Sequence, residues 1–390
     1  MTVDALFSPF SIGPLQLPNR LAVAPMTRTS ATSEGCATQQ MADYYGDFAR
    51  GGFGLLIVEG TFIDDQESQG YLTQPGIVTP AQVEAWKPLV EQAHREGARV
   101  ILQIQHGGAI AQGRPSGSQN VAPSAVQPLG EQLSIYKGSG PWGMPRELGT
   151  DEIARIVEAF AASALRAREA GFDGVELHGA NGYLLDEFFT AYTNLRTDEY
   201  GGDIRNRVRL DEECVRACRD AVGQTWPVGI RLSQSKVNDF DYTWPGGLED
   251  TKVVARLLEA AGASFLHLTE HDITQPVWGT ELTLAQAIKQ FTSLPVIANG
   301  GLDQPTTAAA VVESGAAEVW RSASRRSPTR TGRARRAVAP RWTSSTSSCC
   351  CRWRRSTVPR RGRRSARPEP QQHHPLKQRG PGHPGPRSFP

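Results

Sequence analysis

No apolar run in the 390 residues approaches the roughly 18–20 that a membrane-spanning helix requires, so a helical membrane anchor is not expected. Cysteine is also sparse. Cys36 stands alone, Cys214 and Cys218 lie four apart, and Cys349, Cys350 and Cys351 are consecutive. That spacing offers neither a zinc-ligand set nor a disulfide framework, and it suits free thiols in a reducing compartment. The opening Met1-Thr2-Val3-Asp4 lacks the basic stretch and apolar core of a secretory signal, and the sequence reads as that of a cytoplasmic protein. Acid is nearly missing from one end. From Arg321 onward a single Glu369 stands against nineteen Lys and Arg, which leaves the preceding body at about −16 and this end at about +18. Two such charge regimes rarely come from one fold.

What is present is a repeat of strand and helix patterns. Short runs rich in Val, Ile and Leu recur at 21–24, 55–59, 100–105, 174–178, 228–232, 264–268 and 296–298, as expected of parallel strands covered on both faces. Amphipathic stretches at 80–96, 151–170, 204–222, 248–261 and 282–291 fall between them. Strand and helix alternating in this way indicate an α/β architecture, and a doubly wound sheet would fit the alternation as well. The (β/α)8 TIM barrel is preferred because Glu59, Gln103, His178, Arg231 and Asn299 all fall at or near strand C-terminal ends, where a barrel builds its site. Residues 109–148, rich in Gly, Pro and Ser, read as an insertion capping that mouth. After Val319 the pattern stops. The expectation is a barrel over 1–319 whose eighth strand and helix are missing, replaced over 320–390 by a disordered Arg/Pro/Ser-rich tail.

The sharpest chemical cluster is His178-Gly179-Ala180-Asn181-Gly182-Tyr183. Two hydrogen-bond donors and a phenol at one strand end suit a carbonyl, whose oxygen the donors polarise while the phenol supplies a proton. A loop whose His and Asn satisfy backbone groups is the plainer alternative. Taken singly, Gly300 and Gly301 also fit a turn, Met26 core packing, Gln103 a satisfied polar side chain, and Arg231 a structural ion pair.

Taken in order, the motifs are more specific. His178-x-x-Asn181-x-Tyr183 is followed by Asn194-x-Arg196-Thr197-Asp198-Glu199-Tyr200-Gly201-Gly202. Before them come Asn19-Arg20-Leu21-Ala22-Val23-Ala24-Pro25-Met26-Thr27 and Gln103-Ile104-Gln105-His106-Gly107-Gly108, and after them Pro295-Val296-Ile297-Ala298-Asn299-Gly300-Gly301. This ordered set resembles the old yellow enzyme family over roughly residues 5 to 319. The resemblance implies a noncovalent FMN over the C-terminal end of the barrel. Ala24, Pro25, Met26 and Thr27 would line it, Gly60 would leave room for its ring, and Gln103 would bond its pyrimidine portion. Arg231 would face its N1/O2 edge, and Gly300 and Gly301 would hold one side of the phosphate. It further implies NADH or NADPH as reductant and an α,β-unsaturated carbonyl or nitro compound as substrate. His178 and Asn181 would bind the substrate oxygen and Tyr183 would protonate the α-carbon.

The family closes its barrel with a strand leading into Gly-Arg or Gly-Lys, whereas this chain reads Val319-Trp320-Arg321-Ser322-Ala323. With permitted codons, a frame shifted near Val319 and Trp320 encodes Ala-Leu-Gly-Lys-Gln-Ala-Leu-Ala-Asn-Pro-Asp-Trp-Pro, which resembles the family's continuation. A frameshift is therefore the expected origin of the basic end, with impaired flavin affinity as its consequence. The alternative is a non-catalytic barrel relic whose arginine-rich end binds nucleic acid or acidic surfaces.

Overall fold

Apolar runs that must bury both faces and exchange hydrogen bonds with parallel neighbours have a natural solution in a closed sheet. The computed structural model, which describes residues 3–112, 119–302 and 304–322, adopts it. Eight parallel strands close a barrel in chain order: β1 (Leu21–Val23), β2 (Leu55–Phe62), β3 (Arg99–Gln105), β4 (Gly174–Asn181), β5 (Val228–Lys236), β6 (Phe265–Thr269), β7 (Val296–Asn299) and β8 (Val319–Ser322). The helices that follow them are α1 (Gln39–Arg50), α2 (Pro80–Arg95), α3 (Thr150–Glu169), α4 (Arg209–Val222), α5 (Gly247–Ala260), α6 (Leu284–Lys289) and α7 (Pro305–Glu313). Their starts are chemically marked. At α2 the Thr79 hydroxyl accepts from Gln82 N, the Gln82 side chain accepts from Thr79 N, and Pro80 takes the first turn.

The eighth strand departs from the sequence-based expectation that it is missing. Val319 and Trp320 pair with Ile297 and Ala298 of β7, while Trp320, Arg321 and Ser322 pair with Leu21, Ala22 and Val23 of β1. Pairing draws on main-chain N–H and C=O groups, which the change in composition at Arg321 does not remove. The strand is anchored by Trp320, which is buried and donates its indole N–H to the Leu302 carbonyl at 2.9 Å. Neither β1 nor β7 is left with an open edge. The helix expected after β8 lies outside the described residues.

Inside the barrel, side chains change character along each strand. The lower end is packed with Ala22, Leu55, Ile57, Ile101, Phe265, Ile297 and Val319, and it is closed by Ile12, Leu15 and Leu17 from a hairpin pairing Phe10–Ile12 with Leu15–Leu17. Two residues further up, the inward column turns polar, with Ile57 giving way to Glu59, Ile101 to Gln103, Phe265 to His267 and Ile297 to Asn299. Period-two alternation thus stacks a dry plug beneath a polar mouth.

The segment over the mouth carries a small sheet, Val121–Ala122 with Arg146–Glu147. Its base is tied down by Arg196, which donates to the Pro123 and Leu148 carbonyls at 3.0 and 2.6 Å and pairs with Asp198. Asn194 bridges the Phe188 and Tyr200 carbonyls at 2.7 Å each. The Asn194 to Gly202 motif therefore has a structural task, namely fixing the cap to the barrel. Among the described residues no helix is long and apolar enough to cross a membrane, and no group of His, Cys, Asp and Glu is arranged to hold a metal ion.

Candidate active site

The strands end in two irregularities that shape the mouth. Register shifts between Gly179 and Asn181 in β4, and between Val58 and Thr61 in β2. Regular alternation would send positions 178 and 181 to opposite faces, and the bulge breaks that rule. Asn181 itself takes a left-handed backbone, φ 65°, with its N–H donating to Ser233 Oγ at 2.9 Å.

His178 and Tyr183 are brought together, with ring centroids 4.8 Å apart and both side chains buried. Tyr71, which the motif reading missed, joins them. Its hydroxyl lies 2.6 Å from that of Tyr183, and its ring packs against Tyr136 of the cap at 4.2 Å. Burial pushes both phenols above their ordinary range, while Tyr71 and Arg231 pull Tyr183 partly back. Tyr183 therefore stays protonated at neutral pH and holds its proton at a hydroxyl that already has a hydrogen-bonded neighbour. No local sequence signal marks Tyr71, which comes from a loop more than a hundred residues away.

Beneath this pair runs a buried polar network. Gln103 Nε2 donates to Glu176 Oε1 at 2.7 Å, and His267 Nδ1 faces Glu176 Oε2 at 2.7 Å. The second contact joins β6 to β4, strands that are not neighbours, so it crosses the interior. Arg231 on β5 is buried, and its Nη2 donates to Thr269 Oγ1 at 2.9 Å. Asn299 Nδ2 donates to the same oxygen at 2.6 Å. Burial lowers the Arg231 guanidinium to about 10, against the opposing pull of Glu176 and Tyr183, which leaves it charged at neutral pH. Its Nε is buried with no hydrogen-bond partner among the described residues. An unpaired buried donor is costly, and it marks a place where an acceptor is wanted.

The other residues singled out by sequence surround this centre. Ala24 and Pro25 are buried where the chain leaves β1, Met26 packs half-buried against the main core, and the Thr27 carbonyl accepts from the Tyr136 hydroxyl at 3.5 Å. At Gly60 a Cβ would meet the end of the Gln105 side chain, 2.0 Å from its Oε1, so a larger residue would displace Gln105. Gly300 follows β7 with φ 122°, and a Cβ would fall 2.0 Å from the Glu270 carbonyl. Both positions bring bare backbone to the mouth. Glu176, His267 and Thr269 escaped the motif reading as well. Charged or polar residues inside an apolar strand pattern were the available signal.

Fold and site together define an enzyme barrel that gathers proton donors and the buried cation of Arg231 at the C-terminal ends of its strands. Residues 5–323 match the model of the NADH:flavin oxidoreductase / NADH oxidase family. An NADH oxidase of Thermoanaerobacter brockii is 34% identical over 323 residues, 80% of this chain and 48% of that protein, so the chain spans about half its length. A probable flavin mononucleotide-dependent alkene reductase of Leishmania infantum is 34% identical over 327 residues, 81% of this chain and 86% of that one. The solved structure of an old yellow enzyme homologue from Zymomonas mobilis superposes with a TM-score of 0.73 at 34% identity, covering 81% of this chain and 87% of that one. The chain belongs to the NADH:flavin oxidoreductase / NADH oxidase family, that of the old yellow enzymes, whose cofactor is FMN.

Proposed function

We propose that this protein reduces the C=C bond of α,β-unsaturated carbonyl or nitro compounds, with NADH or NADPH as reductant and FMN seated over the barrel mouth. The observation that carries the reading is the pairing of the His178 and Tyr183 rings, with His178 in register with Arg231, whose buried Nε has no hydrogen-bond partner among the described residues. The residues present fit the cofactor. Arg231 offers a buried cationic donor to an electron-rich edge, Gln103 presents an amide, and at Gly60 only the movable end of Gln105 stands beside the bare backbone. Ala24, Pro25, Met26 and Thr27 would line the ring, and the backbone at Gly300 and Gly301 would hold one side of the phosphate. When bound, FMN supplies the hydride chemistry, accepting from the nicotinamide and giving to the alkene.

The chain's own part is polarisation and proton delivery. His178 and Asn181 would hold the substrate oxygen and stabilise the negative charge that develops on it. Tyr183 would pass its hydroxyl proton to the α-carbon. Arg231 would offset negative charge at the ring edge, a role for which its burial in a low-dielectric site is an advantage.

The test is the visible spectrum of the purified chain. A flavin band that bleaches with NADH or NADPH and returns on adding cyclohexenone or a nitroalkene is expected. Bound flavin that bleaches but is indifferent to both acceptors would overturn the substrate class, and a chain that takes up no FMN would overturn the whole reading.

A further inference from the structure

Tyr183 follows a turn that a free chain would not hold. Asn181 and Gly182 both take left-handed backbone, with φ of 65° and 87°. That conformation is unfavourable for a residue with a Cβ and persists only where the surroundings impose it. Contacts from β5 and from the helix Leu184–Phe189 do so. Asn181 N donates to Ser233 Oγ at 2.9 Å, the Asn181 carbonyl accepts from Val237 N at 3.1 Å, and Gly182 N donates to Asp186 Oδ2 at 2.6 Å. Asp186 is held in turn. Its Oδ1 accepts from Lys236 Nζ at 2.5 Å, and Lys236 ends β5 in register with Asn181. Both side chains are buried, and the ammonium also lies over the Tyr242 ring, 4.6 Å from its centre. Burial raises the Asp186 carboxyl, while Lys236 and the Gly182 amide pull it back. A lysine is seldom buried unless it is paired. Of the carboxyls buried here, Asp186, Glu187 and Asp211, the ammonium pairs with the one that holds the turn.

We propose that Asp186 and Lys236 are positioning residues for proton delivery: Lys236 fixes the Asp186 carboxylate, the carboxylate fixes the Gly182 amide, and that amide sets where the Tyr183 phenol stands. The inference rests on the reading of Tyr183 as proton donor to the substrate, and it adds what keeps that donor in place. A carboxylate with one oxygen on an ammonium and the other on an amide cannot rotate without breaking both bonds. Without Lys236 the carboxyl is free to turn or to take up a proton, and the left-handed turn loses its tie to the following helix.

The test is a double-mutant cycle in the FMN-loaded chain, with reoxidation of the reduced flavin by cyclohexenone followed by stopped flow. Lys236→Met should slow this step by about tenfold or more, on the scale of a misplacement by a fraction of an ångström to one ångström. Flavin reduction by NADH or NADPH should stay within about twofold of the parent. In the Tyr183→Phe background the same substitution should cost less than about twofold, because the group it positions is already gone. A folded Lys236→Met chain that reoxidises at the parent's rate overturns the inference, as does a loss equally large in the Tyr183→Phe background; either result leaves the FMN reading intact and gives the pair a role in stability alone. A parent that takes up no FMN, or whose reduced flavin ignores both cyclohexenone and a nitroalkene, removes the proposed function and this inference with it. Should Lys236→Met fail to fold because it strands a buried carboxylate, combining it with Asp186→Asn removes both charges, the kind of replacement that buried pairs often tolerate. The same slowing, again lost in the Tyr183→Phe background, is expected of that double variant, and the parent's rate in it overturns the inference.

Discussion

At the scale of residues, the mouth depends on how burial sets protonation. Tyr183 would be a weak donor alone, since burial disfavours its phenolate, and the Tyr71 hydroxyl 2.6 Å away is the group placed to stabilise that anion as the proton leaves. Tyr183→Phe is expected to slow alkene reduction by roughly 10²–10⁴-fold, the usual worth of a general acid, without changing flavin reduction by NADH. Tyr71→Phe should slow the same half-reaction by about tenfold, the loss of one hydrogen bond to a developing charge. Stopped-flow measurement of the two half-reactions separates these effects, and equal slowing of both halves would contradict the assignment. Glu59 gives a different prediction. It is fully buried, and burial raises its carboxyl to about 7 despite the Arg28 N–H that donates to it at 2.7 Å. The folded chain therefore holds this proton more tightly than the unfolded chain, so stability contributed below about pH 4.5 is lost as pH rises toward 7. Glu59→Gln should be on the order of 3 kcal/mol more stable relative to the parent at pH 8 than at pH 4.5. Urea unfolding at the two pH values checks this, and a gap independent of pH would refute it.

At the scale of elements, the last strand carries the largest consequence. β8 has four residues and closes the barrel between β7 and β1, with Trp320 as its buried anchor. Trp320→Ala would open a cavity of indole size and leave the Leu302 carbonyl without its donor, a combined loss of about 3–5 kcal/mol. Chemical denaturation should show it as a lower midpoint, and an unchanged midpoint would mean that β8 contributes little to closure. β8 also shows why reading composition misplaced the barrel's end. A change from apolar to arginine-rich sequence reports on side chains, whereas a strand between two neighbours is held by its backbone. The β4 bulge was likewise hidden. His178-x-x-Asn181 can be read from the sequence, but the φ of 65° that breaks the alternation follows from pairing with β5 and from Ser233 Oγ, fifty-two residues on.

At the scale of the molecule, an acidic body is joined to a strongly basic end. Charge of that size predicts non-specific adhesion to polyanions, weakening steeply between about 50 and 200 mM salt. Removal of residues 323–390 should abolish retention on duplex DNA. DNA binding that persists at high salt in the full chain would instead favour the alternative of a nucleic-acid role. The frameshift reading makes a separate prediction: repairing the frame near Val319 and Trp320 should restore a Gly-Lys pair at the end of the eighth strand and tighten FMN binding by about tenfold or more, through added backbone donors to the phosphate. The genomic DNA itself is the first check, since an open frame that encodes only the present end would remove the idea.

The sequence by itself determined the architecture and most of the participants. Hydrophobic period and strand spacing give an alternation of parallel strands and helices, because burial on both faces leaves a distinct local pattern, and polar residues at the strand ends favour the barrel over a doubly wound sheet. His178, Asn181 and Tyr183 stood out because they crowd one strand end. The tertiary structure alone decided how the groups are wired. Tyr71 reaches Tyr183 from a separate loop, His267 reaches Glu176 across the barrel interior, and Gln103 is turned by a carboxylate seventy-three residues away. Hydrogen bonds across a barrel join residues distant along the chain, and no local pattern encodes the angle or protonation at which they meet.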